Sequence, residues 1–334
     1  MKPIPLIRAT QLEPYLTFLG QIGANSEKFL EQSKIRVDIL TTPEQLLPEY
    51  QVWDFIERAG KANGSAIEFG LHTGLQGNFD FILGLMYPSL TAYDALNRLC
   101  LLTRLHSSQA SFWLSQKGSE IWFCRQGIPE IAIGQQAVEA YTLMLMVNLV
   151  RYTTSLKHWQ PSKICLQMKP NSTIEQFKPL QNTRIKYQEQ FTAIAIDITL
   201  LSLTQAPTDS PYLFSLINIS TPATDFVGSL RQVIQSSSIK KYPTLSEVAK
   251  ITGISSRTLQ RRLREVGVSY NEVINQIQFE RAKTLLKDSH LKLREISEQL
   301  GYSTQGHFSR AFKRWTGITP QSFRHLSPEK ELET

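Results

Sequence analysis

The stretch "GYSTQGHFSRAFKRWTG" (residues 301–317) sets Phe308 and Phe312 four residues apart, with Arg310, Lys313 and Arg314 among and after them. A glycine, then a Ser-Thr pair, then apolar residues at i and i+4 read as a tight turn followed by a capped helix. Such spacing turns the two phenylalanines inward. It leaves Gln305, His307, Arg310, Lys313 and Arg314 outward or on the flanks. A catalytic His307 would need a carboxylate to orient it and a nucleophile within reach, and neither stands nearby in the chain.

The same plan occurs twice. Setting "TLSEVAKITGISSRTLQRRLREVGVS" (244–269) above "KLREISEQLGYSTQGHFSRAFKRWTGIT" (292–319) at an offset of 48 places Leu245 on Leu293, Glu247 on Glu295, Gly253 on Gly301 and Ser255 on Ser303. One residue of slippage brings Leu259 and Leu263 onto Phe308 and Phe312. One more brings Gly267 onto Gly317. In the first copy Thr244 and Glu247 form a T-x-x-E capping box, Gly253 follows the helix and Ser255 caps the next one. Helix, glycine turn and capped helix is the helix-turn-helix plan. One copy is a weak signal, but two with cationic second helices form a strong one.

Charge supports this. Residues 1–227 hold 18 Lys+Arg against 19 Asp+Glu, whereas residues 228–334 hold 18 against 10, so the whole excess of +7 lies in the last third. A single-signed field of this kind points to an anionic partner, nucleic acid first and a membrane surface second. Arg can bond bidentately to guanine and Gln to adenine. Between the copies, residues 269–289 open with a second capping box, Ser269 and Glu272. Val273, Ile274, Ile277, Leu285 and Leu286 suit one long helix that fixes the spacing of the two reading heads. Lys292 stands where the second copy would have a cap, so that helix start should be less well held. Gly306, inside the second reading helix, should cost about 1 kcal/mol relative to Ala. It either allows close approach to a DNA backbone or is a neutral variant.

Residues 225–325, through "SRTLQRRLREVG" and "LGYSTQGHFSRAFKRWTGITPQSFR", resemble the DNA-binding domain of the AraC/XylS family of bacterial transcription regulators. The resemblance implies base contacts from Arg257, Thr258, Gln260 and Arg261 in one unit, and from Gln305, His307 and Arg310 in the other. Phosphate contacts are expected from Ser256, Arg262, Arg264, Thr304, Lys313 and Arg314.

The first two-thirds is mixed. "ASFWLSQKGSEIWFCRQ" (110–126) reads as a β-hairpin turning at Lys117-Gly118-Ser119, with Phe112, Leu114, Ile121 and Phe123 alternating. Residues 136–156 are too long and too rich in Met and Leu for a strand and read as a buried helix. "SKICLQMK" (162–169) and "FTAIAIDITL" (191–200) read as strands. The order predicts an α+β domain. Residues 77–106 resemble the arabinose-binding-like sensory half of one subgroup of the family, which implies effector binding, dimerisation or both. It does not name arabinose as the ligand. Trp113, Trp122, Tyr141 and the Met144/Met146 pair suit a sugar site, an apolar pocket or plain core. The effector-binding residues are left unassigned.

The expected organisation is an α+β sensory and dimerisation domain (1–204), a Pro/Ser/Thr-rich linker (205–223), an all-α domain with two helix-turn-helix motifs joined by a long helix (224–326), and a polar tail (327–334). Cys100, Cys124 and Cys165 are odd in number and lack metal-ligand spacing, which reads as structural thiols in a reducing cytoplasm. No apolar run reaches the ~20 residues of a membrane span, and no enzyme motif or cofactor signature is present. The expected partners are promoter DNA, a small-molecule effector, a second copy of the chain and, for an activator, RNA polymerase. One rival is a nucleoid-type protein that coats DNA with little sequence preference. The other is an enzyme tethered to DNA by a regulator-like domain.

Overall fold

The computed structural model describes residues 1–42, 44–77, 80–204, 221–237, 242–288 and 290–325. The chain forms two compact units, in the main residues 4–224 and residues 225–334. The expected linker, apart from 221–223, and the expected tail lie outside the described residues.

The first unit opens with strand β1 (Leu6–Arg8), followed by helices α1 (Glu13–Gln21) and α2 (Ser26–Gln32) and strand β2 (Leu46–Pro48). Four helices follow: α3 (Glu49–Ala62), α4 (Ala66–Gln76), α5 (Asp80–Met86) and α6 (Ala92–His106). Next come the hairpin β3 (Ser111–Lys117) and β4 (Glu120–Gln126), and the long helix α7 (Gln135–Thr154). Strand β5 (Lys163–Cys165), the short helix α8 (Ser172–Glu175), β6 (Arg184–Lys186) and β7 (Thr192–Asp197) complete it. β1 and β2 pair antiparallel; the other strands form one sheet in the order β3-β4-β7-β5-β6, in which only β5 and β6 run parallel. The expected α+β class is therefore observed.

The expected hairpin is present and sets Leu114 opposite Phe123 and Phe112 opposite Arg125. Ile121 and Phe123 are buried on its inward face, and the Phe112 and Phe123 rings lie 5.6 Å apart. The two strands expected at 162–169 and 191–200 are shorter than their apolar runs, because each gives way to a turn or a 3-10 segment. β1, β2 and β6 are three residues each, too short to display a period, and were not anticipated.

Helix α7 is the axis of this unit. Its long apolar run is buried on nearly all sides, from Ala137 to Thr154, as expected of a helix that is hydrophobic all round. Helix α4 reaches it through two glycines. A Cβ on Gly70 would lie 2.2 Å from the Ala137 carbonyl oxygen, and one on Gly74 2.4 Å from that of Tyr141. Asn148 of α7 then donates its amide to the carbonyls of Gly74 and Leu75, each at 2.9 Å. The second unit begins with α9 (Phe226–Ser237) and then gives α10 (Leu245–Thr252) and α11 (Ser256–Glu265), the first expected helix-turn-helix. Helix α12 (Tyr270–Asp288) connects to α13 (Leu293–Gln299) and α14 (Gln305–Thr316), the second one, and α15 (Pro320–His325) follows.

The glycines of the two turns, Gly253 and Gly301, have φ of +68° and +78°, the left-handed conformation for which glycine carries no Cβ penalty. Both capping boxes form: Thr244 N and Ser269 N each donate to a glutamate oxygen three residues on, at 2.6 Å. The expectation for Lys292 needs amending. Its side chain caps nothing, but its backbone N donates to Glu295 Oε2 at 2.6 Å, so the start of α13 is held by half of a capping box.

Replacing Gly70 with Ala should force α4 and α7 apart and destabilise the protein by about 1–3 kcal/mol, the usual cost of overpacking. Chemical denaturation of the full chain measures it, and a midpoint equal to wild type would refute the close-packing argument.

Candidate nucleic-acid interface and internal cavity

Each recognition helix is built as a two-faced element. In α11, Leu259 and Leu263 are buried while Arg257, Gln260, Arg261 and Arg264 are exposed along one stripe, the i, i+3, i+4, i+7 row of a helix surface. Ser255 caps it, accepting from Thr258 N at 3.2 Å. Arg257, Thr258, Arg261 and Arg264 line a common shallow depression with Glu265. Several of the expected contact residues are engaged within the unit, Arg264 through its Nε, which donates to the Gln260 carbonyl at 3.4 Å. The Thr258 hydroxyl lies 2.9 Å from the Ser255 hydroxyl. Arg261 is paired with Glu265 at 2.6 Å. Arg262, half-buried, sits 5.6 Å from the centre of the Phe226 ring. Ser256 is the first, half-buried residue of the helix.

In α14, Phe308 and Phe312 are fully buried and Gln305, His307, Arg310, Lys313 and Arg314 are exposed. Thr304 is the cap and accepts from His307 N at 3.2 Å. The His307 ring nitrogen Nδ1 lies 3.0 Å from the Ser303 hydroxyl. Gly306 faces open space: a Cβ there would meet only the Thr304 hydroxyl, at 4.0 Å. Trp315, which stands among the cations in the sequence, packs inward instead, 5.7 Å from the Phe279 ring and 6.5 Å from Phe312.

Sequence reasoning missed one positioning residue here. Gln278 of the connecting helix donates to the Leu300 carbonyl at 3.1 Å and accepts from the Tyr302 hydroxyl at 3.1 Å. It thereby ties α12 to the turn that launches α14. A polar residue on the inner side of a helix between apolar positions Ile277 and Leu285 was the available signal.

The first unit encloses a cavity whose wall is mostly apolar, including Val52, Trp53, Ile56, Val138 and Leu145. Five titratable groups also line it: Tyr15, Glu49, His106, Arg125 and Tyr141. Of Trp113, Trp122, Tyr141, Met144 and Met146, Tyr141 alone is among the lining residues. Met144 and Met146 are core, and Trp113 lies 5.3 Å from Phe191. Burial pushes the Glu49 carboxyl up to about 7, against a hydrogen bond from the Ser107 hydroxyl and the nearby positive charge of Arg125. Burial, reinforced by Arg8, pushes His106 down to about 3, so its ring is neutral and its Nε2 lies 2.9 Å from the Gln11 side-chain oxygen. Among the described residues no group of three or more His, Cys, Asp and Glu could hold a metal ion. No helix among them is long and apolar enough to cross a membrane.

Residues 248–325 match the model of a helix-turn-helix domain, and residues 23–204 match that of the arabinose-binding domain of AraC transcription regulators, N-terminal. The chain is similar to the transcriptional regulator VqsM of Pseudomonas aeruginosa, 38% identical over 102 residues that make up 30% of this chain and 31% of that one. It is also similar to the transcriptional activator RhaR of Escherichia coli, 32% identical over 95 residues, 28% of this chain and 34% of that one. The match thus spans about a third of the length of these curated relatives. Among solved structures it is similar to the C-terminal domain of AraT, a response regulator from Geobacillus stearothermophilus, at 34% identity with a TM-score of 0.30, over 32% of this chain and 90% of that one.

Two outcomes follow from this geometry. Because the Gly306 position is open, Gly306→Ala should stabilise the second unit by up to about 1 kcal/mol. A destabilised variant in thermal unfolding would show that the helix needs glycine there. Glu49 holds its proton in the folded state and sheds it in the unfolded chain, so stability should be lost as pH rises from about 4.5 to about 7. The loss is on the order of 3 kcal/mol, and Glu49→Gln should abolish it. Unfolding midpoints at pH 5 and pH 8 for both proteins test this.

Proposed function

Because the chain belongs to the family of AraC-type transcription regulators with an arabinose-binding-like N-terminal domain, we propose that it reads promoter DNA with α11 and α14 under the control of a small molecule held in the first unit. The family is one of transcription regulators and not of enzymes. The observation that carries the reading is the matched pair of capped helices, each with a buried apolar side and an exposed side of Arg, Gln and Lys. In this reading the base-edge readers are Arg257, Thr258, Gln260, Arg261, Gln305, His307 and Arg310. Ser256, Arg262, Arg264, Thr304, Lys313 and Arg314 serve the phosphates. Helices entering neighbouring turns of the major groove read elements about 34 Å apart, so one chain takes an asymmetric site without needing palindromy.

The readers on the two recognition helices are not all equally ready. Arg310 makes no hydrogen bond or ion pair among the described residues, whereas Arg261 must leave Glu265 to reach a base. An exposed pair of this kind is worth under about 1 kcal/mol, so the exchange is affordable against a bidentate guanine contact. Two copies of the chain acting as a dimer, activation through RNA polymerase and a cytoplasmic location complete the proposal. An effector acts by binding one arrangement of the protein better than another.

The experiment is selection of bound fragments from genomic DNA by wild type and Arg310→Ala at physiological salt. A shared two-element motif, lost in the variant, is expected. On that site Arg310→Ala should cost about 1–3 kcal/mol, and much less on random DNA. Broad recovery of unrelated fragments by both proteins, with equal losses on all DNA, would favour a coating role instead.

A further inference from the structure

Strand β4 alternates Ile121, Phe123 and Arg125 on its inward face. The first two are ordinary core. The third puts a guanidinium, 7% exposed, on the wall of an otherwise apolar cavity. A buried charge is retained only when something balances it. Burial lowers the Arg125 pKa from its ordinary value, and the nearby Glu139 carboxylate is the first group that works against this and favours the charged form.

Neither Glu139 nor Glu49 hydrogen-bonds the guanidinium. Glu139 is fully committed elsewhere: it accepts from Gln167 N at 2.6 Å, Met168 N at 3.0 Å and the Thr192 hydroxyl at 2.6 Å. Glu49 accepts from the Ser107 hydroxyl. Arg125 therefore has its charge balanced at a distance and its five donors without a side-chain or backbone acceptor among the described residues. An arginine in that state is a fork suited to a planar acceptor that the described residues do not supply.

The free space fixes the size of that acceptor's carrier. It measures about 70 Å³. A single water needs roughly 10–15 Å³ of such space, so the cavity admits a molecule several times larger than a water. The remaining wall, with Val52, Trp53, Ile56, Val138 and Leu145, suits a hydrocarbon body. The cavity carries little negative charge of its own at neutral pH, since Glu49 keeps its proton up to about 7.

We infer that this cavity is a binding site for a small monocarboxylate with an apolar body, whose carboxylate is received bidentately by Arg125. The inference rests on the reading above that the first unit senses a small molecule, and it names that molecule's chemical class. Tyr15 and Tyr141, whose rings lie 4.8 Å apart on the same wall, flank the site.

The test is calorimetric titration of the full-length protein, without DNA, with pentanoate, pentanamide, pentylamine and decanoate. Saturable binding of pentanoate is expected, with the amide weaker by tenfold or more and the amine and the longer acid not bound. Arg125→Lys, which keeps the charge but loses the fork, should weaken pentanoate at least tenfold while keeping the wild-type unfolding midpoint. Should that variant fail to fold, the wild-type ligand series decides by itself. Equal affinity for acid and amide, or no saturable binding of pentanoate, overturns the inference.

Measuring DNA affinity with and without pentanoate separates this inference from the reading beneath it. Pentanoate bound with unaltered DNA affinity supports the site and removes its control of transcription. Intact, salt-sensitive DNA binding in a protein that ignores pentanoate removes the site and leaves the regulator.

Discussion

The second unit depends on the burial of Phe312. Its ring lies 5.3–6.5 Å from those of Phe279, Phe308, Trp315 and Phe323, so one side chain joins the connecting helix, the second reading helix and the last helix. Buried aromatics carry large apolar area and add a favourable edge-to-face term. Fixing Phe312 fixes the rotation of α14 about its own axis. The rotation in turn decides that Arg310, Lys313 and Arg314 face solvent. The cationic face is thus a consequence of the aromatic one. A helix with that much positive charge gains little from its own propensity and holds together because its other side is buried.

The first unit has a corresponding constraint in the approach of α4 to α7. With side chains absent at Gly70 and Gly74, the two helices meet backbone to backbone, and Asn148 satisfies two carbonyls at the contact. Helix α7 can then present Val138, Tyr141 and Leu145 to the cavity on one side while Glu139 holds the chain at Gln167–Met168 on the other. The cavity is therefore framed by rigid elements. That suits a site in which a ligand must be read by shape and by one charged fork, because a loosely held arginine would fold back onto Glu139.

Much of the second unit was legible without coordinates. Its information is local: a capping box spans three residues, a glycine turn one, an apolar pair one helical turn. Leu259, Leu263, Phe308 and Phe312 all proved buried, as their spacing required. The shortfalls have physical reasons. Trp315 follows Lys313 and Arg314 in the chain, yet its indole packs against Phe279 of the connecting helix, a partner that no local pattern names. Lys292 was read as a missing cap, although Glu295 supplies half of one from within the helix. Gln278 escaped because its two partners sit in a different motif.

What the sequence by itself determined is the double helix-turn-helix, its polarity and the location of the charge, since each follows from periodicity within a dozen residues. It determined the class of the first unit as well, through one hairpin and one long apolar helix. Only the tertiary structure decided where that unit's chemistry lies. Glu49 at the start of α3, Arg125 on β4 and Tyr141 on α7 come from three separate elements and face one cavity. The burial that sets their protonation and leaves Arg125 without an acceptor is a property of long-range packing. No local pattern of residues encodes it.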